Sequence, residues 1–365
     1  MHPAVLGRMH GSPDGPAGRT NMDPAAYRWV HATQETRVRP LNVSRTLCVG
    51  RRLRGFGCAG RCRYTPRPME SALRNRLTYG PLMLASLIGL LVLDHYVEVH
   101  TRGMFSSLDG GGIKGSGLLV ILLAIAPPAV IELARLFAAV QVRPYRLIAS
   151  MGCSGLVLHA FALQFPLFGK ISTSTLALIL VFVMFFAALR RARLRQAQQA
   201  IHHMAGTVLA TLYLGLQAWF LMALRVKESN HFSGTMLSLL MILLVVKSTD
   251  IGAFFGGRAL GRHKLIPWLS PGKTWEGLIC GVITSAIVGA VFARWMPGLM
   301  WWKGAVFGLV IGGIGQAGDL LESLMKRDAD IKDSGNSIPG FGGVLDVIDS
   351  PLLASPFAYI LFSVF

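Results

Sequence analysis

Apolar residues in this chain fall in long unbroken blocks, without the spacing of a helix face or the alternation of a half-buried strand. LLVILLAIAPPAVIELA, STLALILVFVMFFAAL, TVLATLYLGLQAWFLMAL and MLSLLMILLVV are examples. Blocks of this length suit helices that cross a bilayer. Only helices and closed barrels satisfy their backbone in lipid, and these blocks do not alternate as barrel strands do. The pattern predicts an all-α fold, a polytopic helical membrane bundle of about nine spans. They fall near 80–97, 117–139, 146–165, 173–190, 204–224, 235–256, 276–294, 303–320 and 350–365.

Composition agrees. Hydrophobic residues make up 52% and charged residues 15% of the 365, against about 25% charged in a soluble domain; mean hydropathy is +0.50. The net charge of +18 is uneven, because residues 1–68 hold twelve arginines, no lysine and three acids. That stretch has no apolar core and is expected to be disordered. No hydrophobic region follows its basic residues, so it is not a secretory signal. Cys48, Cys58 and Cys62 lie in it without the second close ligand pair that a metal site would need. Composition changes abruptly at Met69, where MESALRNRLTYGPLMLASLIGLLVLD reads as the basic lead and first span of an inner-membrane protein. Met69 is therefore the expected natural start and 69–365 the working domain. A basic tail that holds anionic lipid is the alternative for 1–68.

Lysine and arginine in short loops set orientation. With the amino end inside, the loops at 140–146, 190–203, 257–275 and 321–349 face the cytoplasm and carry most of the loop cations. Two of them, 257–275 and 321–349, are rich in charge and fall on one side, with Asp250 and Asp319 expected at the inner ends of their spans. Seven of the chain's 18 acids lie between Asp319 and Asp349.

Four motifs invite a chemical reading. GGIGQAG at 312–318 contains G-x-G-x-x-G but ends an apolar span with no βαβ unit around it. Gly304, Gly308 and Gly312 instead recur every four residues, a face that lets another helix come close and permits a homodimer. SPGKTWEG at 270–277 is not a P-loop, since Pro267 stands where the first glycine belongs. Ser270, Gly272, Lys273 and Thr274 before a helix suit either a phosphate cradle or a helix cap. Lys247 and Asp250, three apart in a span, are a functional site or a self-neutralising pair. The richest stretch is SLMKRDADIKDSGNSIPGFGGVLDVIDS at 323–350, where charges alternate in sign around GFGG and Asp346 and Asp349 share a helix face. Carboxylates with nearby lysine, arginine and glycine suit Mg2+ and a polyphosphate.

Residues 323–349 resemble the signature of the phosphatidate cytidylyltransferase (CDP-diacylglycerol synthase) family. Ser323, Lys326, Arg327, Lys332, Asp333, Pro339, Gly342, Gly343, Asp346 and Asp349 stand in register with it. TDIGAFFGGRALGRHKLIPWLSPGKTWEG and GDLLES resemble that family's other blocks, which places the catalytic segments at 247–277 and 315–350. Two positions depart: Phe341 stands where the family has His, and Val347 where it has Arg.

The resemblance implies a helical bundle with a polar cavity open to the cytoplasm and the reaction CTP + phosphatidate → CDP-diacylglycerol + pyrophosphate. It implies Asp319, Asp346 and Asp349 as catalytic metal ligands, with Lys332 and Asp333 as further catalytic residues. Lys273, Lys326, Arg327 and Lys332 would hold phosphates, and Asp250, Ser270, Gly272, Thr274, Ser323, Gly342 and Gly343 would shape the substrate site. The cofactor implied is Mg2+, one or two ions, with a monovalent cation also admissible. The partners are CTP, phosphatidate and membrane lipid, with no nucleic acid. A transporter would place charges at mid-membrane and show an inverted repeat, and neither is evident. A CDP-alcohol phosphatidyltransferase would show D-G-x2-A-R-x8-G-x3-D-x3-D, which is absent. An inactive membrane scaffold, or a divergent paralogue using another lipid-phosphate acceptor, is the remaining rival.

Overall fold

The computed structural model describes residues 69–104, 112–195, 197–226, 236–331, 334–335, 337–338 and 342–365. Residues 1–68, Lys332, Asp333, Pro339 and Phe341 lie outside the described residues. Residues 65–365 form one compact unit.

Ten helices account for nearly all of it: α1 Met69–Thr101, α2 Ser116–Ala139, α3 Arg146–Ala162, the short α4 Pro166–Lys170, α5 Ser172–Arg193, α6 Ala200–Val226, α7 Met236–Leu260, α8 Trp275–Phe292, α9 Trp301–Asp328 and α10 Leu345–Val364. Eight are long and apolar enough to cross a membrane, and α3 is a shorter apolar helix. The nine expected spans thus all appear as helices. A two-stranded antiparallel hairpin of β1 Lys264–Ile266 and β2 Ser270–Thr274 was not foreseen. Pro267 and Pro271 cannot continue a helix, so the segment extends and turns back.

Two packing devices organise the bundle. In the first, α8 lies against α7 and α9 almost backbone to backbone. A Cβ on Gly289 would collide with the carbonyl of Gly304, and one on Gly308 with the carbonyl of Ser285. A Cβ on Gly281 would lie 2.7 Å from the carbonyl oxygen of Thr249. Small residues replace apolar side chains as the packing surface, since lipid offers no hydrophobic drive between helices. The glycine face of α9 is therefore filled by α8 of the same chain, which removes it as the seam of a homodimer.

In the second device, buried charges tether α1. Its apolar window is only 12% buried, yet Asp94 is fully enclosed. Arg225 of α6 donates from Nε to Asp94 (2.9 Å) and from Nη2 to Glu98 (2.7 Å). Asp94 also accepts from the backbone N of Gly117 (3.1 Å) and the Ser116 hydroxyl (3.2 Å). It thus supplies, from another helix, the acidic cap that Gly115 at the start of α2 cannot provide.

Candidate active site

The site is assembled from α7, the hairpin, α9, α10 and one residue of α2. The hairpin is fixed first. Thr274 caps α8, its hydroxyl accepting from Gly277 N (3.1 Å). Glu276, in the first turn of α8, accepts from the backbone N–H groups of Arg262 (3.1 Å) and His263 (3.2 Å). Arg327 of α9 donates from Nε to the carbonyl of Leu269 (3.3 Å), so this guanidinium anchors the hairpin turn.

So held, β2 sends Lys273 across to α9, where its ammonium meets Asp319 (2.8 Å) and the Gln316 carbonyl (3.4 Å). The Gln316 amide donates to Asp250 of α7 (2.8 Å), which also pairs with Lys247 (3.4 Å). The Lys247–Asp250 pair does form, and Asp250 is joined to the site as well. Both acids sit deeper than expected. Asp250 precedes the end of α7 at Leu260 by ten residues, and Asp319 precedes the end of α9 at Asp328 by nine, roughly 14–15 Å of helix. Hydropathy fades beyond them, but no proline or cap stops either helix there.

A second cluster adjoins the first. Lys326 bridges Glu322 (3.1 Å) and Asp346 (2.5 Å). Asp346 also accepts from the backbone N of Gly343 (2.7 Å). Gly342 has φ +102°, and a Cβ there would lie 2.6 Å from the Asp346 carboxylate, so glycine is required on two counts. Asp349 is buried, accepts from the backbone N of Ser350 (2.6 Å), and lies within hydrogen-bonding reach of Glu322. Asp319 is close enough to act electrostatically on both Asp250 and Asp349. The two clusters form one polar seam across α7, β2, α9 and α10. Ser270, Gly272 and Ser323 take no part in these links. Lys332 and Asp333 lie outside the described residues.

Three residues that the sequence did not single out belong to this seam. Glu322, 1% exposed, is the second carboxylate on Lys326, beside Asp346. Glu132 of α2, also 1% exposed, accepts from the Ser337 hydroxyl and from the backbone N of Leu345 (2.9 Å). It is enclosed by Ser334, Gly335 and Gly343, where any added Cβ at either glycine would meet its carboxylate. Glu132 therefore clasps the segment that presents Asp346. Tyr213 lies near Asp349 and Glu322, its hydroxyl buried without a hydrogen-bond partner among the described residues. It sits on a π-helical stretch of α6, Thr211–Leu216, a distortion frequent at functional sites. A lone Glu inside the block VIELA was the one available signal for Glu132.

The donor set was tested for Mg2+. Hard carboxylate oxygens are the right chemistry, but among the described residues no group of three or more His, Cys, Asp or Glu side chains is arranged to hold a metal alone. Mg2+ characteristically uses one or two carboxylates and completes its shell with water and substrate phosphates, so the residues fit an ion that arrives with a polyphosphate.

Residues 112–365 match the model of the cytidylyltransferase family, a region that contains every residue of the seam. The chain belongs to that family. Among curated relatives it is 40% identical over 141 residues to a phosphatidate cytidylyltransferase of Haemophilus influenzae, covering 37% of this chain and 49% of that one. It is 36% identical over 159 residues to a phosphatidate cytidylyltransferase of Bacillus subtilis, covering 43% and 57%. It is 38% identical over 151 residues to the uncharacterised YnbB of Escherichia coli, covering 41% and 49%. The chain spans about half the length of these relatives. Within the cytidylyltransferase region, Val347 occupies the first turn of α10 beside Asp346, so the family's arginine is replaced by a side chain that brings no charge to the seam.

Proposed function

We propose that this membrane protein transfers the cytidylyl group of CTP to phosphatidate, giving CDP-diacylglycerol and pyrophosphate. The observation that carries the reading is the seam itself. It joins Lys273–Asp319 to the Lys326–Asp346 cluster across the two segments that bear the resemblance, in a chain of the cytidylyltransferase family.

In this reaction an oxygen of the phosphatidate phosphate attacks the α-phosphorus of CTP. The bond from that phosphorus to the β-bridging oxygen breaks, and pyrophosphate departs with the bonding pair. A phosphate monoester is largely ionised near neutral pH, so no strong base is needed, and the barrier is the approach of two anions. Lys273 and Lys326 lower it with positive charge held in a partly dehydrated setting. Their carboxylate partners keep both ammonium groups aimed while the site is empty of anion. The Gly342–Gly343 turn lets backbone approach a phosphate closely. Val347 and Phe341 supply neither the charge nor the proton of the family's usual residues, which leaves the lysines as the main cations. Mg2+, when bound, would neutralise charge on the polyphosphate, and one or two of Asp319, Asp346 and Asp349 would hold it together with the substrate phosphates. The loop cations favour an inner-membrane protein whose seam faces the cytoplasm, where CTP is. The scaffold reading is not favoured, because a scaffold has no use for carboxylates and lysines gathered at such desolvation cost.

The test is transfer of labelled CTP into chloroform-soluble lipid by membranes bearing the full chain, with phosphatidate and Mg2+. Incorporation that requires phosphatidate, stops with EDTA and is lost in Asp346→Asn is expected. An inserted, well-expressed protein that gives no label would reject the reading.

A further inference from the structure

A second polar feature lies outside the catalytic seam. The loop after α2, the start of α3 and the end of α5 enclose a cavity of about 720 Å3 lined by Arg143, Tyr145, Arg146 and Arg190. All three arginines are exposed, and none is ion-paired to an acid among the described residues. The loop that carries two of them is firmly held: Arg143 N donates to His203 Nδ1 (3.1 Å) and Tyr145 N to the Thr207 hydroxyl (3.0 Å). The hydroxyl of Tyr145 is itself buried and has no hydrogen-bond partner among the described residues. A buried donor without an acceptor is costly, and Tyr145 is among the residues that line the cavity.

Arg190 and Ile148 also line a second cavity, about 370 Å3, between α3 and α5. Its walls are Met151, Phe182, Val183 and Phe186, with Arg193 beside Arg190 at the end of α5. An apolar slot therefore adjoins a basic pocket, with Ile148 and Arg190 lining both. Arginines at helix ends are ordinary in membrane proteins. Their convergence on one cavity that adjoins an apolar slot is not. A soluble anion would have no use for the slot, and a neutral lipid none for the arginines.

We propose that this composite cavity binds an anionic phospholipid, its phosphate at Arg143, Arg146, Arg190 and Tyr145 and one acyl chain between α3 and α5. The site is separate from the seam. Ala134 and Ala138 of α2 border the cavity, whereas Glu132, about 200° around the helix from Ala134, faces Ser337 and Leu345. The proposal does not rest on the proposed reaction.

The experiment uses the full chain in phosphatidylcholine nanodiscs with a small fraction of phosphatidylglycerol bearing a diazirine on one acyl chain. Phosphatidylglycerol is neither substrate nor product of the proposed reaction, so the two readings fail independently. After photolysis, labelled peptides are mapped by mass spectrometry, with exposed Ile283 and Ile287 of α8 as the bulk-lipid reference. Label concentrated at Met151 and 182–186 is expected. It should fall about tenfold or more relative to α8 in Arg143→Gln/Arg146→Gln/Arg190→Gln, and return with lysine at the three positions. Tyr145→Phe should reduce it roughly fivefold without lowering Tm, because the hydroxyl has no partner to lose. Even labelling of all lipid-facing helices, or label indifferent to both variants, would overturn the proposal. Full displacement by inorganic phosphate would overturn it too, since it would reveal an anion pocket that ignores the acyl chain.

Discussion

Lys273 and Asp319 touch at 2.8 Å from elements far apart in sequence, and each is the other's principal charge partner. Removing the ammonium should cost more than removing the carboxylate, because in the proposed reaction the ammonium would meet the transferred anion. Lys273→Ala is expected to lower kcat on the order of 10²–10³-fold. Asp319→Asn should lower it less at saturating Mg2+ and raise the Mg2+ concentration needed for half-maximal rate, as a Mg2+ titration of both variants would reveal. Glu132 offers a different test. Gln in its place keeps the shape but turns an amide donor toward Ser337 or Leu345, both already donors. The unmatched groups should cost about 1–3 kcal/mol locally. The 334–345 segment should then be cut faster in limited proteolysis while CTP transfer falls and the rest of the bundle keeps its protease resistance. Lys273, Asp319, Asp346 and Asp349 were legible in the sequence because each stands in a polar segment of unusual composition. Glu132 and Tyr213 were not, because a single polar residue inside an apolar block gives no sign of its partner, and Glu132's partners are 205 and 213 positions away; Glu322 stood among the clustered acids without a role of its own.

At the scale of elements, α8 behaves as a spacer whose thickness is set by glycine. The contact at Gly308 is with the Ser285 carbonyl, a backbone atom that cannot swing aside. Gly308→Val is therefore expected to push α9 from α8, separate Lys273 from Asp319, and abolish CTP transfer together with a fall in Tm of the purified protein. A glycine open to its surroundings, Gly313, has no atom near its absent Cβ, and Gly313→Ala should leave both unchanged. The repeat of Gly304, Gly308 and Gly312 announced a close helix contact in the sequence. It did not say whose helix, since periodicity describes one surface and not its occupant. α6 was legible as a single span, but its π-helical stretch was not. There Thr207 and Thr211 return hydroxyl bonds to the carbonyls of His203 (2.7 Å) and Thr207 (3.0 Å), the type of local competition that bends helices.

Over the whole molecule, the charges of the seam and those of the tether are divided between regions. The seam gathers around Asp250 of α7, Lys273 of β2, the stretch from Asp319 to Lys326 of α9 and the first turns of α10, whereas Arg225, Asp94 and Glu98 tie α1 to α6. The bundle thus buries ionised groups for anchorage as well as for chemistry. Arg225→Ala would leave Asp94 enclosed and unpaired, at a cost of about 3–5 kcal/mol. The expected result is a lower thermal midpoint and loss of α1 from the protease-resistant unit. Arg225→Lys should restore part of both, because it keeps the charge but not the two-pronged reach. The fold class was readable from hydropathy alone because the bilayer permits so few backbones. The tether was not, because its members sit in two apolar blocks far apart in sequence and pairing is a property of the assembled bundle. The clasp at Glu132 carries a consequence for biosynthesis. Its two partners lie just before and within the first turn of the last helix, so α2 must enter the membrane long before the ribosome has made what its carboxylate binds. Through most of synthesis the nascent chain holds an unanswered acid inside a hydrophobic helix. A truncated chain that ends before Ser337 never answers it, and should therefore be recognised and removed by membrane quality control even though most of its helices are present.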